Sequence, residues 1–217
     1  MYLITNRHLC DEYHYLSVIE DAVSSGVENI ILREKDMSDE ELTNLYNKIV
    51  SKISYLHNEF NLIINNNINL YKNLNFSGIH LSFKRFRQLV KDEFVFEDKK
   101  LLGLSLHSTS EIDILEEIIK EKNIKVDYII LSHIYETKCK ESLKPKGINL
   151  LEEGKKITNI KIVALGGILP ENVKEVSKYA DDFAIMSTLF TCKNVKLKIK
   201  EYKIWVLWFI DKIYIYL

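Results

Sequence analysis

The chain has 217 residues, 47% of them hydrophobic and 28% charged, with two prolines, seven glycines and 30 basic against 31 acidic side chains for a formal net charge of −1. This composition excludes a disordered chain, which has too little apolar surface to offset its conformational entropy, and a collagen-like one, which needs far more glycine and proline. Near-zero charge leaves no excess of Lys and Arg for a nucleic-acid backbone, and three scattered cysteines without a C-x-x-C pair give neither a disulfide framework nor a structural zinc site.

Residues 1–5 are mostly apolar but lack the basic flank and the length of a signal peptide, so a cytoplasmic protein is expected. From there, short runs rich in Ile, Leu and Val recur at 2–5, 29–35, 61–66, 78–82, 101–108, 128–135, 160–167 and 182–187. Segments of helical periodicity lie between them. Ser38 with Glu41 and Ser108 with Glu111 are S-x-x-E boxes that satisfy two amide donors reciprocally at a helix start. Pro170 stands where a first helical residue loses no hydrogen bond. Ile112, Leu115, Ile118 and Ile119 in one segment, and Val173, Val176 and Ala180 in another, mark faces packed on a sheet.

Strands buried on both sides read as continuous apolar runs, and strands alternating with helices pair in parallel through right-handed crossovers. Eight such units predict a single-domain α/β fold, a (β/α)8 TIM barrel. An open doubly wound sheet is the competitor, but Thr5-Asn6-Arg7-His8 has no glycine where that fold usually carries a phosphate loop. The barrel is expected over 1–190, followed by a basic and aromatic tail over 191–217, read as a final helix. Its apolar stretch over 204–210 falls far short of the roughly 20 residues that span a bilayer. The expected role of that face is packing on the barrel or on a second subunit, which would give a homodimer; no membrane partner is expected.

In a β/α barrel the chemistry lies at the C-terminal strand ends. Gly166-Gly167 after the seventh strand, with Ser187 after the eighth, fits the frequent barrel phosphate site, although a tight turn alone would also need glycine. His80, His107 and His133 fall near the ends of three successive strands. Separate roles are expected for them rather than a three-histidine metal site. His133 is the best candidate for acid/base work, because an unperturbed imidazole titrates near neutral pH. In the tripeptide Arg33-Glu34-Lys35, alternation lets Arg33 and Lys35 face the barrel mouth while Glu34 points away.

These stretches resemble the family shared by thiamine phosphate synthase and the thiazole tautomerase of thiamin biosynthesis, both β/α barrels. The resemblance runs over 2–190 and is carried by Leu32-Arg33-Glu34-Lys35-Asp36, Ile63-Ile64-Asn65, Gly78-Ile79-His80-Leu81, Ser105-Leu106-His107-Ser108, Ala164-Leu165-Gly166-Gly167-Ile168 and Ile185-Met186-Ser187. The synthase branch holds magnesium with two aspartates. One is expected after Asn65, where this chain has Asn66, and the other in the loop after His80-Leu81, which here reads Ser82-Phe83-Lys84-Arg85. Ile31 stands where the synthase carries a glutamine for its pyrimidine. The segment Ser132-His133-Ile134-Tyr135-Glu136-Thr137-Lys138-Cys139-Lys140 is similar to the tautomerase branch, in which the histidine is the catalytic acid/base.

The resemblance thus implies a thiazole tautomerase that aromatises a carboxythiazole phosphate tautomer without a metal or other cofactor. His133 is the catalytic residue. Arg33, Lys35, Asn65, Ser105, His107, Thr137 and Lys140 are expected to bind substrate, Arg33 or Lys140 pairing its carboxylate, and Gly166, Gly167 and Ser187 to bind its phosphate. Two alternatives stay open: a thiamine phosphate synthase, which would need magnesium and which Lys35 and Lys140 favour, and a catalytically silent barrel that binds a thiazole or thiamin phosphate.

Overall fold

A computed structural model of the protein describes residues 1–137 and 143–204. Eight parallel strands, β1 (Tyr2–Ile4), β2 (Asn29–Leu32), β3 (Asn61–Asn65), β4 (Gly78–Ser82), β5 (Leu101–Leu106), β6 (Tyr128–Ser132), β7 (Lys161–Leu165) and β8 (Asp182–Ile185), close into a barrel in sequence order. Closure is made by Tyr2 and Leu3 of β1 in register with Ala184 and Ile185 of β8. Helices α1 (Glu12–Ser24), α2 (Asp39–Ile53), α3 (Ile68–Asn73), α4 (Phe83–Lys91), α5 (Thr109–Lys122), α6 (Asn149–Ile157) and α7 (Pro170–Val176) alternate with the strands, and α8 (Ser187–Thr191) follows the last. The chain is a (β/α)8 TIM barrel.

Two cores follow from the strand period of two. Outward residues such as Leu3, Ile30, Leu32 and Ile79 pack under the helices. Inward residues Tyr2, Ile4, Ile31, Ile63, Tyr128, Ile130, Val163 and Ala184 fill the barrel itself. At Gly103 a Cβ would collide with the Tyr128 ring, so the missing side chain on β5 is what lets that phenol enter the interior.

The ends of the elements show local chemistry at work. Ser38 caps α2 with a complete box: its hydroxyl accepts from Glu41 N at 3.2 Å and its amide donates to Glu41 Oε2 at 2.7 Å. Such a cap contributes about 1 kcal/mol. At α5 the reciprocal half differs from expectation. Ser108 Oγ accepts from Glu111 N, but Glu111 Oε2 reaches one residue further back, to His107 N at 2.6 Å. That carboxylate therefore tethers a residue of the barrel mouth instead of closing a box. Most of the apolar runs outlast their strands at the C-terminal end; residues 33–35, 107–108, 133–135 and 166–167 leave the ladder and become the mouth.

Beyond β8 the chain is helical again over 195–204, here called α9. Its buried Val195, Ile199 and Tyr202 face the barrel, where the Tyr202 hydroxyl donates to Ile168 O at 2.9 Å and its ring lies 5.5 Å from that of Phe183. Lys203 Nζ donates to Ser25 O at 2.8 Å and Gly26 O at 3.1 Å at the end of α1. No helix among the described residues is long and apolar enough to cross a membrane. The aromatic stretch over 205–217, on which the homodimer expectation rests, lies outside the described residues, as does Lys140.

Candidate active site

A cavity of about 640 Å³ opens at the C-terminal ends of the strands. Its wall brings together Arg33, Lys35, Asn65, Ser105, His107, His133, Thr137, Gly166, Gly167 and Ser187, the whole predicted set apart from Lys140.

At the end of β2, Arg33 N donates to Thr5 Oγ1 at 2.9 Å, which ties the strand end to β1. Glu34 turns away from the cavity and is buried. Its Oε1 accepts from the Tyr15 hydroxyl and its Oε2 from Arg7 N, both at 2.9 Å. Burial, with the Glu34 charge next in effect, pushes the Tyr15 phenol well above its ordinary pKa, so it remains a donor. This carboxylate anchor was not legible in the sequence, where Glu34 reads only as one charge in three. It holds the strand end so that the alternate residues, Arg33 and Lys35, line the cavity.

At β3 and β4, Asn66 has a φ of +57° and its Oδ1 accepts from Ser82 N at 3.0 Å. Ser82 Oγ in turn accepts from Arg85 N at 3.3 Å, and Arg85 lines a second, more open cleft of about 850 Å³ with Lys35 and Lys72. The positions at which the resemblance expects two aspartates thus carry an amide whose oxygen is engaged and a neighbourhood of cations. A neutral amide already accepting from Ser82 N and an arginine cation do not replace two anionic oxygen ligands for a hard divalent ion, so these residues do not fit magnesium. Among the described residues no three His, Cys, Asp or Glu side chains cluster as a metal site.

The three histidines differ in setting. His80 is buried inside the barrel, with Nε2 2.7 Å from Ser105 Oγ and Nδ1 3.3 Å from the Tyr128 hydroxyl. Desolvation, helped by the Arg33 charge, pulls its pKa down to about 3, so it is neutral at physiological pH. His107 is exposed and is oriented by Ser132, its Nδ1 lying 3.0 Å from the carbonyl oxygen and 3.1 Å from Oγ. His133 is buried in the cavity wall, and its Nε2 lies 3.2 Å from Leu143 O. A carbonyl oxygen only accepts, so Nε2 carries the proton and Nδ1 of the neutral ring keeps its lone pair.

Gly166 and Gly167 have φ values of +102° and +65°, which side chains rarely adopt. A Cβ on Gly166 would collide with the Cα and Cβ of His133, and one on Gly167 with Tyr135 and the Glu136 carbonyl. The two loops are laced directly: Ile134 N donates to Leu165 O at 3.0 Å and Tyr135 N to Gly166 O at 2.9 Å. The glycines therefore seat the His133 loop against β7, a role that their spacing in sequence did not reveal.

Fold and site together define a β/α barrel with a polar, cation-lined mouth and a buried histidine in its wall. The chain belongs to the TMP-TENI family, described as thiamine monophosphate synthase, whose model matches residues 1–189. This is a family of enzymes of thiamine biosynthesis. The chain is 29% identical over 204 residues to the thiamine-phosphate synthase of Clostridium tetani, covering 93% of this chain and 92% of that one. It is 29% identical over 210 residues to the thiamine-phosphate synthase of Methanobrevibacter smithii, covering 94% and 95%. The fold matches thiamine phosphate pyrophosphorylase from Pyrococcus furiosus with a TM-score of 0.74 at 19% identity over 94% of each chain. These names are those of the synthase and not of the tautomerase; by that measure the synthase alternative is better supported than the isomerase expectation.

Proposed function

We propose that this family member is a thiazole tautomerase, acting on a phosphorylated carboxythiazole by acid/base proton transfer. The observation that carries the reading is His133: its Nε2–H is held by Leu143 O, which leaves Nδ1 as a base in the cavity wall. Reaction needs one proton removed from the ring carbon that bears the carboxylate and one delivered to the exocyclic side-chain carbon. Nδ1 takes up the first, and the imidazolium gives a proton to the second carbon. The net change is an isomerisation driven by aromatisation, and a positioned acid/base of this kind is worth about 10²- to 10⁴-fold.

The remaining groups bind and orient. Arg33 pairs the carboxylate, a contact its guanidinium can make in bidentate fashion. The amides of Gly166 and Gly167 and the Ser187 hydroxyl take the phosphate, with Lys35, Asn65, Ser105, His107 and Thr137 around the ring and its side chain. Lys140 belongs to the same set by the resemblance. The segment over 191–217 is, on this reading, an addition to a barrel over 1–190.

The second reading, the synthase, is favoured by the names of the relatives and by Lys35 in the wall. It implies magnesium, for which Asn66 and Arg85 are unsuited, and no step is derived through that ion. A paired assay of the purified protein separates the two: aromatisation of the thiazole tautomer with chelator present, and thiamine phosphate formation with magnesium. Aromatisation alone is expected. Magnesium-dependent synthesis would overturn the isomerase reading, and ligand binding without either turnover would establish a silent barrel.

A further inference from the structure

A cluster of polar groups runs from beneath the cavity up to Ser105 in its wall, and two of its members, Tyr128 and His80, have no part in the chemistry above. Tyr128 on β6 points into the barrel through the space that Gly103 leaves on β5. Its ring packs between those of Tyr2, 4.8 Å away, and His80, 5.6 Å away and within 18° of parallel. The Tyr128 hydroxyl is fully enclosed, and burial raises its pKa well above that of a free phenol, so it stays protonated. Its one hydrogen-bond partner among the described residues is His80 Nδ1 at 3.3 Å. Across the same imidazole, Nε2 meets Ser105 Oγ at 2.7 Å.

Counting donors and acceptors fixes the direction of this chain. A buried hydroxyl proton needs an acceptor, and among the described residues the phenol has only Nδ1 to give it to. Nδ1 is therefore bare. A neutral imidazole carries its single proton on the other nitrogen, so Nε2–H donates to Ser105 Oγ. Ser105 accepts there, and its own proton has no acceptor among the described residues of the chain. The side with room for one is the cavity, whose wall Ser105 forms.

We infer that Tyr128, His80 and Ser105 form a one-way hydrogen-bond chain that presents the Ser105 hydroxyl to the cavity as a donor, so that the ligand atom seated against it is a hydrogen-bond acceptor. Ser105 touches the ligand; His80 and Tyr128 are positioning residues that act through it. The inference concerns how any ligand of this cavity is oriented, and it holds for either reaction considered above. Ser105 Oγ keeps a second lone pair, but a ligand that offers only an N–H or O–H there leaves the hydroxyl proton without an acceptor and is disfavoured, which makes this corner of the cavity selective for a carboxylate oxygen or an unprotonated ring nitrogen.

Nitrogen-15 NMR of the histidine-labelled protein without substrate, at neutral pH, tests the direction. The His80 resonances, assigned by their loss in His80→Gln, are expected to show a bare Nδ1 and a protonated Nε2. A proton on Nδ1, or a mixture of tautomers, would overturn the chain. Tyr128→Phe is expected to lose the single-tautomer signal; keeping it would show that the phenol does not set the ring. If that variant fails to fold, the wild-type spectrum alone decides. With whichever substrate the paired assay identifies, Ser105→Ala is expected to raise KM about 3- to 10-fold, the loss of one hydrogen bond, with kcat nearly unchanged. Ser105→Thr, which keeps the hydroxyl, is expected to restore it. A normal KM in Ser105→Ala would show that no ligand atom uses this donor, and would overturn the role assigned to the serine. The spectrum is read without substrate, so its failure is distinguishable from failure of the isomerase reading.

Discussion

Across the barrel mouth, the loops after β6 and β7 are laced backbone to backbone, whereas the ends of β1 to β4 add ties from polar side chains to backbone bonds such as Asn66 N to His80 O at 2.8 Å. On the first side, residues 134 and 135 hydrogen-bond directly to Leu165 and Gly166, and Gly166 leaves no room for a Cβ beside His133. On the second, Thr5, Glu34 and Asn66 tie the strand ends together with polar side chains, and the cations Lys35, Lys72 and Arg85 border an open cleft. A group that must move a proton needs a fixed position, because effective molarity is lost with a misplacement of an ångström or so. Groups that hold an anion work through longer-ranged charge and tolerate a looser frame. On the proposed reading, proton transfer belongs to the first half and charge recognition to the second.

The largest effect that would break this comparison is expected at His133. His133→Asn should lower kcat by about 10²- to 10⁴-fold, since the variant has no titratable nitrogen near neutrality. Its melting temperature should change little, because only the bond to Leu143 O is disturbed. Tautomer turnover measured beside a thermal melt checks both parts, and wild-type turnover would move the chemistry elsewhere. Gly166→Ala comes next. It combines a φ of +102° with a collision against His133, and should cost about 2–4 kcal/mol. For a chain of this length that is a melting temperature lower by roughly 5–10 °C. Turnover should fall with it, because the added Cβ meets the Cα and Cβ of His133 and relief of the clash alters the seat of the histidine. A variant with a wild-type melt and full activity would show that the backbone contact does not position His133.

Much of this frame was legible in the sequence because parallel strands covered on both faces must be apolar throughout. The eight runs mark the eight strands, and the polar residues at the end of each run mark the mouth. The Ser38 box and Pro170 were readable for the same reason, that local chemistry acts within one turn. What escaped depends on pairs distant in the chain. Glu34 finds Tyr15 and Arg7, 19 and 27 residues away, and His80 finds Tyr128 across 48 residues. Nothing in the period of either segment announces such a partner. Gly103 and Gly166 escaped likewise, because each is small for the sake of a side chain on a neighbouring strand or loop. Glu111 shows the same limit at short range: the motif names the residue, but the helix entry decides that its carboxylate reaches His107 rather than Ser108.

The smallest expected effect concerns His80, buried inside the barrel below the mouth. In the folded chain the His80 pKa is lowered from 6.5 to about 3, first by desolvation and then by the Arg33 charge. The unfolded chain therefore binds one more proton than the folded one between those values. Stability from this group is fully present above about pH 6.5 and is lost as the pH falls toward 3, with a slope of about 1.4 kcal/mol per pH unit for one proton. His80→Gln removes the titrating group but keeps an amide that can both accept and donate. Urea unfolding at several pH values between 4 and 6.5 should then show a shallower loss of stability in the variant than in the wild type, by about that slope at its steepest. Carboxylates contribute to acid unfolding equally in both proteins, so the difference between the curves isolates His80. Parallel curves would mean that the imidazole is solvated enough to protonate in place. The interior would then be wetter than the packing of Tyr2, Tyr128 and Ser105 around it implies, and the charged mouth would extend further down the barrel than β4 and β5 now place it.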